Sequence, residues 1–184
     1  MIFETERFLV RPYQMPEDLD AAMVMYGDPE VQRHLMGIVE ADPEVVRDRL
    51  ATRTEFFRQR GDGTGFWAVE RKTDGRVVGN AIAKHLPDGD GNLTEDLEIG
   101  WHVAREFWGQ GYATEFGLAS RDYAFKKLGV DEILIVMNPL NERSLRVALK
   151  VGATERGFTD RYYGMHVRLL SITREEWERL RSAP

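Results

Sequence analysis

Two glycines and the helix that follows them are the first residues whose types and spacing suggest chemistry. In the stretch 105–128, REFWGQGYATEFGLASRDYAFKKL, Gly109 and Gly111 interrupt the chain just before helical periodicity begins. Glycine is needed where a side chain would block close approach or where φ must be positive. The first turn of a helix carries unpaired N–H groups and the positive end of the dipole, so this loop predicts a seat for a phosphate or pyrophosphate. The same glycines also suit an ordinary strand-to-helix turn, and a lone GxG does not choose between the two.

Other chemistries fail on spacing. The chain has no cysteine, which removes disulfides, thiolate nucleophiles and cysteine-ligated zinc. His34, His85, His102 and His166 are scattered without metal spacing, so no metal is expected. Asp88, Asp90 and Asn92 imitate a calcium loop, but Leu93 and Ile99 stand where its glycine and terminal glutamate belong. No lysine follows the glycines as a Walker A loop requires, and no serine sits in G-x-S-x-G. Gly109 and Gly111 match the first two glycines of the dinucleotide fingerprint while Thr114 replaces the third, which keeps a dinucleotide-binding oxidoreductase as an alternative.

The glycine loop must be positioned by a fold, and the pattern around it is mixed α/β. At 184 residues with 42% hydrophobic content, one domain spanning 1–184 is expected. A net charge of −6 and a pI near 5.3 argue against nucleic acid as a partner. The N-terminus is charged where a signal peptide needs an apolar core, and no apolar run approaches membrane-spanning length, so the expected location is cytoplasmic, away from membranes.

Residues 5–12 read as a first strand, followed by helices from Pro16 to about Tyr26, from Asp28-Pro29 to Leu35, and from Asp42-Pro43 to Gly61. Strands over 66–71 and 77–84 meet around Asp74-Gly75, and a polar loop over 87–96 leads into a strand over 97–103. There Leu97, Ile99, Trp101 and Val103 alternate with Glu98, Gly100 and His102, so the first set should face a core. The central helix shows Tyr112, Phe116, Ala119 and Tyr123 on one face and Gly129 at its end. EILIVM, residues 132–137, is apolar on both faces, as a sandwiched parallel strand would be. Asn141 is placed to cap a helix over 142–151, residues 156–163 and 165–172 suggest a closing antiparallel pair, and Thr173 with Glu176 forms a capping box.

The order of helical cap, antiparallel meander, glycine loop with helix, parallel strand, Asn-capped helix and closing hairpin resembles the GNAT superfamily of acetyl-CoA-dependent N-acyltransferases. The nearest branch is the ribosomal-protein N-acetyltransferase type. The resemblance runs from TERFLVRPYQMPEDLDAAMVMYGDPEV through DLEIGW and REFWGQGYATE to NERSLRVALKVGA and LLSITREEW. It implies a mostly antiparallel central sheet with one splayed parallel pair and flanking helices.

The resemblance also implies roles. The pyrophosphate loop falls on 106–111, so the amides of Gly109, Gln110, Gly111, Tyr112, Ala113 and Thr114 would bind acetyl-CoA. Glu106 stands where the family has Gln or Arg. Backbone groups of Trp101, His102 and Val103 would meet the pantetheine arm, and Asn141 and Ser144 match an N-x-x-S element near the coenzyme's thiol. A protonated amine must lose its proton before attack, which makes Glu98 the candidate base; the alternative is an outward-facing strand carboxylate. Ser144 is the candidate acid for the leaving thiolate, or else a helix residue bonded to its own terminus, since Ala148 stands where many relatives have tyrosine. Tyr162 and Tyr163 are placed on the closing strand, near the substrate or as plain strand aromatics. The acceptor would be a primary amine, protein-borne or small, met by His34 to Val39, Leu86 to Glu95 and the final hairpin. A homodimer through an edge strand is open, as is a catalytically silent acyl-CoA-binding module.

Overall fold

The computed structural model describes residues 1–35 and 38–182; residues 36 and 37 of the expected acceptor segment 34–39 lie outside it. Short strands β1 (Phe3–Glu4) and β2 (Phe8–Arg11) replace the one strand expected over 5–12. The Thr5 hydroxyl accepts from Phe8 N at 3.1 Å and folds the chain between them. Helices α1 (Leu19–Tyr26), α2 (Pro29–Gln32) and α3 (Pro43–Arg60) form the cap. Asp28 and Asp42 start the last two by accepting from the amides of Glu30 and Glu44 at 2.8 and 2.9 Å. Gly61, at φ 61°, ends α3 in the left-handed region.

The meander comprises β3 (Gly65–Arg71), β4 (Val77–Pro87) and β5 (Leu93–Val103). The β4–β5 loop is thus shorter than the expected 87–96. Asp88 closes it by accepting from the amides of Asp90 and Asn92, each at 2.9 Å, which accounts for the calcium-like spacing without a metal. Helix α4 (Tyr112–Tyr123) continues as a π turn over 124–128, which Gly129 N closes on Ala124 O at 3.1 Å. Strand β6 (Glu132–Met137), helix α5 (Glu142–Val151), strands β7 (Thr154–Thr159) and β8 (Val167–Thr173), and helix α6 (Arg174–Ser182) complete the chain. Thr173 and Glu176 exchange their capping bonds at 2.8 and 3.2 Å.

One eight-stranded sheet results, in the order β1-β2-β3-β4-β5-β6-β8-β7, antiparallel except for β5 against β6. This is not the repeated βαβ winding of a dinucleotide-binding sheet. On one face, Phe8, Ile99, Phe116, Phe125, Ile133 and Leu170 bury the side of α4. On the other, Tyr13, Ala22, Val46, Leu50, Phe66 and Ile82 seat the cap. No helix among the described residues is long and apolar enough to cross a membrane.

Candidate active site

The glycine loop is built to leave amides unpaired. Gly109 and Gly111 have φ of 77° and 74°, and a Cβ on Gly109 would meet nothing within 4 Å, so backbone conformation and not crowding demands glycine there. Gly111 precedes α4 with no side-chain cap. Among the described residues, none of the amides of Gly109, Gln110, Gly111, Tyr112, Ala113 and Thr114 donates a hydrogen bond; the first to do so is Glu115 N, to Gly111 O at 3.1 Å. The loop is braced from outside. Arg7 donates to Gln110 O at 3.1 Å and pairs with Glu115, which also accepts from Thr5 Oγ1 at 2.6 Å. Burial works against the Glu115 charge, but the bonds from Thr5 and Arg7 outweigh it and lower its pKa. The Glu106 side chain is held by Arg76 at 2.7 Å.

Next to this loop the sheet forks. Strands β5 and β6 share the single register pair Glu98↔Leu134, so the β5 edge from Ile99 to Val103 has no neighbour on that side. Of the three residues expected to offer backbone there, Val103 already accepts from the Trp108 indole at 2.8 Å. Trp101 lies on the α4 face, where a Cβ on Gly117 would come within 3.2 Å of its ring. On the far side of the fork, Asn141 caps α5 by accepting from Ser144 N at 3.1 Å, and Arg143 stacks on the Trp108 ring at 4.3 Å. The Ser144 hydroxyl makes no hydrogen bond among the described residues, so its own helix terminus does not occupy it.

Glu98 sits at the fork and is buried, not an outward-facing strand carboxylate. It is 7% exposed, which forces its charge to find partners. Its Oε2 accepts from Tyr163 OH at 2.5 Å and lies 3.2 Å from Lys84 Nζ, which reaches the same phenol at 2.5 Å. Its Oε1 has no partner among the described residues. Burial first, then the Glu98 charge and hydrogen bond, push the Tyr163 phenol far above its ordinary pKa, so it stays a donor.

His102, four residues on, shares the face of Glu98. Its Nδ1 lies 3.2 Å from Asn80 Nδ2, and Tyr13 donates to the other end of that amide. An amide nitrogen can only donate, so Nδ1 is bare and the proton of the neutral ring is on Nε2. Burial, reinforced by Arg53 and Lys84, lowers its pKa to about 4.

Lys84, Asn80 and Arg53 were not signalled by the sequence: strand register pairs Lys84 with Glu98 and Asn80 with His102, and Arg53 arrives from α3. Tyr162 and Tyr163 lie between β7 and β8, not on a strand. Tyr163 adopts φ 60° while its amide donates to Pro87 O at 3.2 Å. Two concavities of about 320 and 300 Å³ lie elsewhere, one against α1 near Glu106 and one at the starts of β5 and β6, and neither is lined by Glu98 or Ser144.

The family model described as acetyltransferase (GNAT) domain matches residues 7–154. The FsC-acetyl coenzyme A-N(2)-transacetylase of Aspergillus fumigatus is 38% identical over 175 residues, 89% of this chain and 73% of that protein. A Bacillus subtilis protein provisionally named ribosomal N-acetyltransferase YdaF is 36% identical over 110 residues, 57% of this chain and 58% of its own. The crystal structure of a GNAT-family acetyltransferase from Bacillus anthracis superposes with a TM-score of 0.76 at 21% identity, covering 94% of this chain and 98% of that one.

Proposed function

The chain belongs to the acetyltransferase (GNAT) domain family, and from that premise we propose that it transfers the acetyl group of acetyl-CoA to a primary amine by direct attack. The observation that carries this reading is the unpaired run of amides from Gly109 to Thr114 beside the fork that holds Glu98. Those amides fit a pyrophosphate, because they converge at a helix N-terminus with no side chain competing for them. Acetyl-CoA supplies an acyl group already activated as a thioester; the chain's task is to seat it and to free the amine.

Glu98 is the base of this reading. Tyr163 and Lys84 fix its Oε2, leaving Oε1 to take a proton from the amine directly or through water. Attack forms the C–N bond and a tetrahedral oxyanion; its collapse breaks the C–S bond, the thiolate takes the proton of Ser144, whose hydroxyl is uncommitted at the N-terminus of α5, and the second proton shed by the new amide nitrogen restores that hydroxyl through water. The unpaired β5 edge offers N–H groups to the developing oxyanion. The finer placement in the ribosomal-protein N-acetyltransferase branch rests on Asn141 and Ser144 and on the similarity to the Bacillus subtilis protein so named.

The test is thiol release from acetyl-CoA with a panel of amines, using wild type and Glu98→Gln. The expected result is turnover with at least one amine and a fall of about 100-fold in kcat for the variant, greatest at low pH, with acetyl-CoA affinity kept. Tight acetyl-CoA binding with no turnover across the panel would instead favour a silent acyl-CoA-binding module.

A further inference from the structure

The face of the sheet that carries Glu98 holds one guanidinium that, among the described residues, has no carboxylate partner. Register places Ala68, Asn80 and His102 in one row across β3, β4 and β5, Phe66, Ile82 and Gly100 in the next, and Lys84 with Glu98 in the third. Because side chains alternate along a strand, these rows share the face beneath the cap. Gly100 leaves a notch between Glu98 and His102, floored by Ile82, whose Cδ1 lies 3.4 Å from where a Cβ would stand.

Arg53 reaches this face from α3, its guanidinium 4.4 Å over the Phe66 ring. The other arginines of α3 all have carboxylates: Arg47 pairs with Glu44 and Asp48, Arg49 with Glu40, Arg58 with Glu55 and Arg60 with Asp62. Arg53 has none within 4.0 Å among the described residues, although Glu55 is two positions away. It is half-buried and close enough to His102, Tyr13, Tyr26 and Tyr163 to oppose their positive charging or ease their ionisation.

The other charged groups on the face have partners. Arg11 is held by Asp18 and Glu70, Lys84 answers Glu98, His102 is neutral, and the three tyrosines stay protonated. A half-buried guanidinium with no carboxylate partner attracts an anion and repels a second cation. The protein as a whole is acidic, at −6, so this positive spot is local and not part of a basic surface.

We propose that Arg53 is a specificity residue that binds a carboxylate on the acceptor, so that the substrate is an amine carrying its own carboxylate and not a polyamine. The amine then lies toward Oε1 of Glu98 and the carboxylate toward α3. This rests on the acetyltransferase reading above.

The experiment compares acceptors in pairs that differ at one carboxylate, with KM counted on the unprotonated amine: free amino acids against their carboxamides, and short peptides with Asp or Glu at the second position against Asn or Gln. The first pairs report a free small molecule and the second a peptide as the source of the carboxylate. Wild type, Arg53→Gln and Arg53→Lys are used. The expected result is a KM for the carboxylate at least tenfold below that of its amide in one set, erased in Arg53→Gln through a rise in KM on the carboxylate alone, and partly restored in Arg53→Lys. Values of kcat and the KM for acetyl-CoA stay unchanged. Equal KM within every pair in wild type, or a loss in Arg53→Gln that falls equally on both members, overturns the proposal. If no amine turns over, calorimetry with the same pairs on CoA-loaded protein replaces KM, and binding indifferent to the carboxylate overturns it as well. Failure to bind acetyl-CoA at all would strike the acetyltransferase reading instead, and is read separately.

Discussion

Tyr163 donates its phenolic hydrogen to Glu98 Oε2 at 2.5 Å from a backbone position with φ 60°. A non-glycine residue in that region costs of order 1–3 kcal/mol and persists only where its surroundings hold it. Here the Tyr163 amide bonds to Pro87 O, and the neighbouring Tyr162 hydroxyl bonds to Asp96 at 2.8 Å. Tyr163→Phe therefore removes one bond to the base while keeping the loop. The expected outcome is a fall of roughly tenfold in kcat with stability within about 1 kcal/mol of wild type, checked by steady-state kinetics and urea unfolding.

Lys84 and Glu98 should be coupled in stability. Removing one member of a buried ion pair leaves the other charged without its counter-ion, at a cost of about 3 kcal/mol. Lys84→Met is expected to lose that much, and Lys84→Met with Glu98→Gln to lose less than the sum of the single changes. A double-mutant cycle in urea checks this, and additivity would show that the pair is not coupled.

His102 gives a pH signature. Its folded pKa of about 4 lies below the ordinary 6.5, so the unfolded chain binds its proton first as pH falls. Its contribution is fully present above pH 6.5 and is lost progressively as pH drops toward 4, amounting to about 3 kcal/mol. Nitrogen-15 NMR should find the ring neutral at pH 5.5 with the proton on Nε2. A ring titrating near 6.5 would contradict the buried arrangement with Asn80.

Gly111 tests whether the loop is conformational or crowded. A Cβ there would find only Arg7 Nη2, at 3.7 Å, so space exists and φ 74° is the obstacle. Gly111→Ala should cost about 1 kcal/mol of stability and weaken acetyl-CoA, while Gly129→Ala, at φ 72° beyond the opposite end of the same helix, should cost similar stability and leave acetyl-CoA affinity unchanged.

What the sequence revealed was whatever is written locally. Asp28, Asp42 and Asn141 as caps, Gly61 and Gly152 as stops, and the Thr173–Glu176 box all act within one helical turn, so spacing alone exposes them. The left-handed turns at Gly109 and Gly111 were legible for the same reason, whereas the burial of Glu98 depends on Lys84 and Tyr163, both distant in sequence. Strand limits were less so, because β5 starts at Leu93 only through its pairing with Pro87 across the hairpin. Lys84, Asn80 and Arg53 carried no signal, since each reaches the site by register or by the seating of α3. Tyr163 was noticed as an aromatic, but its turn conformation and its bond to Glu98 depend on a hairpin docking on a distant loop.

Titration of nitrogen-15-labelled protein with acetyl-CoA, following the amides from Gly109 to Thr114, asks whether the helix N-terminus seats the coenzyme. These amides and those of the β5 edge are expected to move together at one affinity, and a nicotinamide dinucleotide to move neither. If acetyl-CoA leaves the amides of Gly109 to Thr114 unmoved, the helix N-terminus is not its seat and the account is wrong.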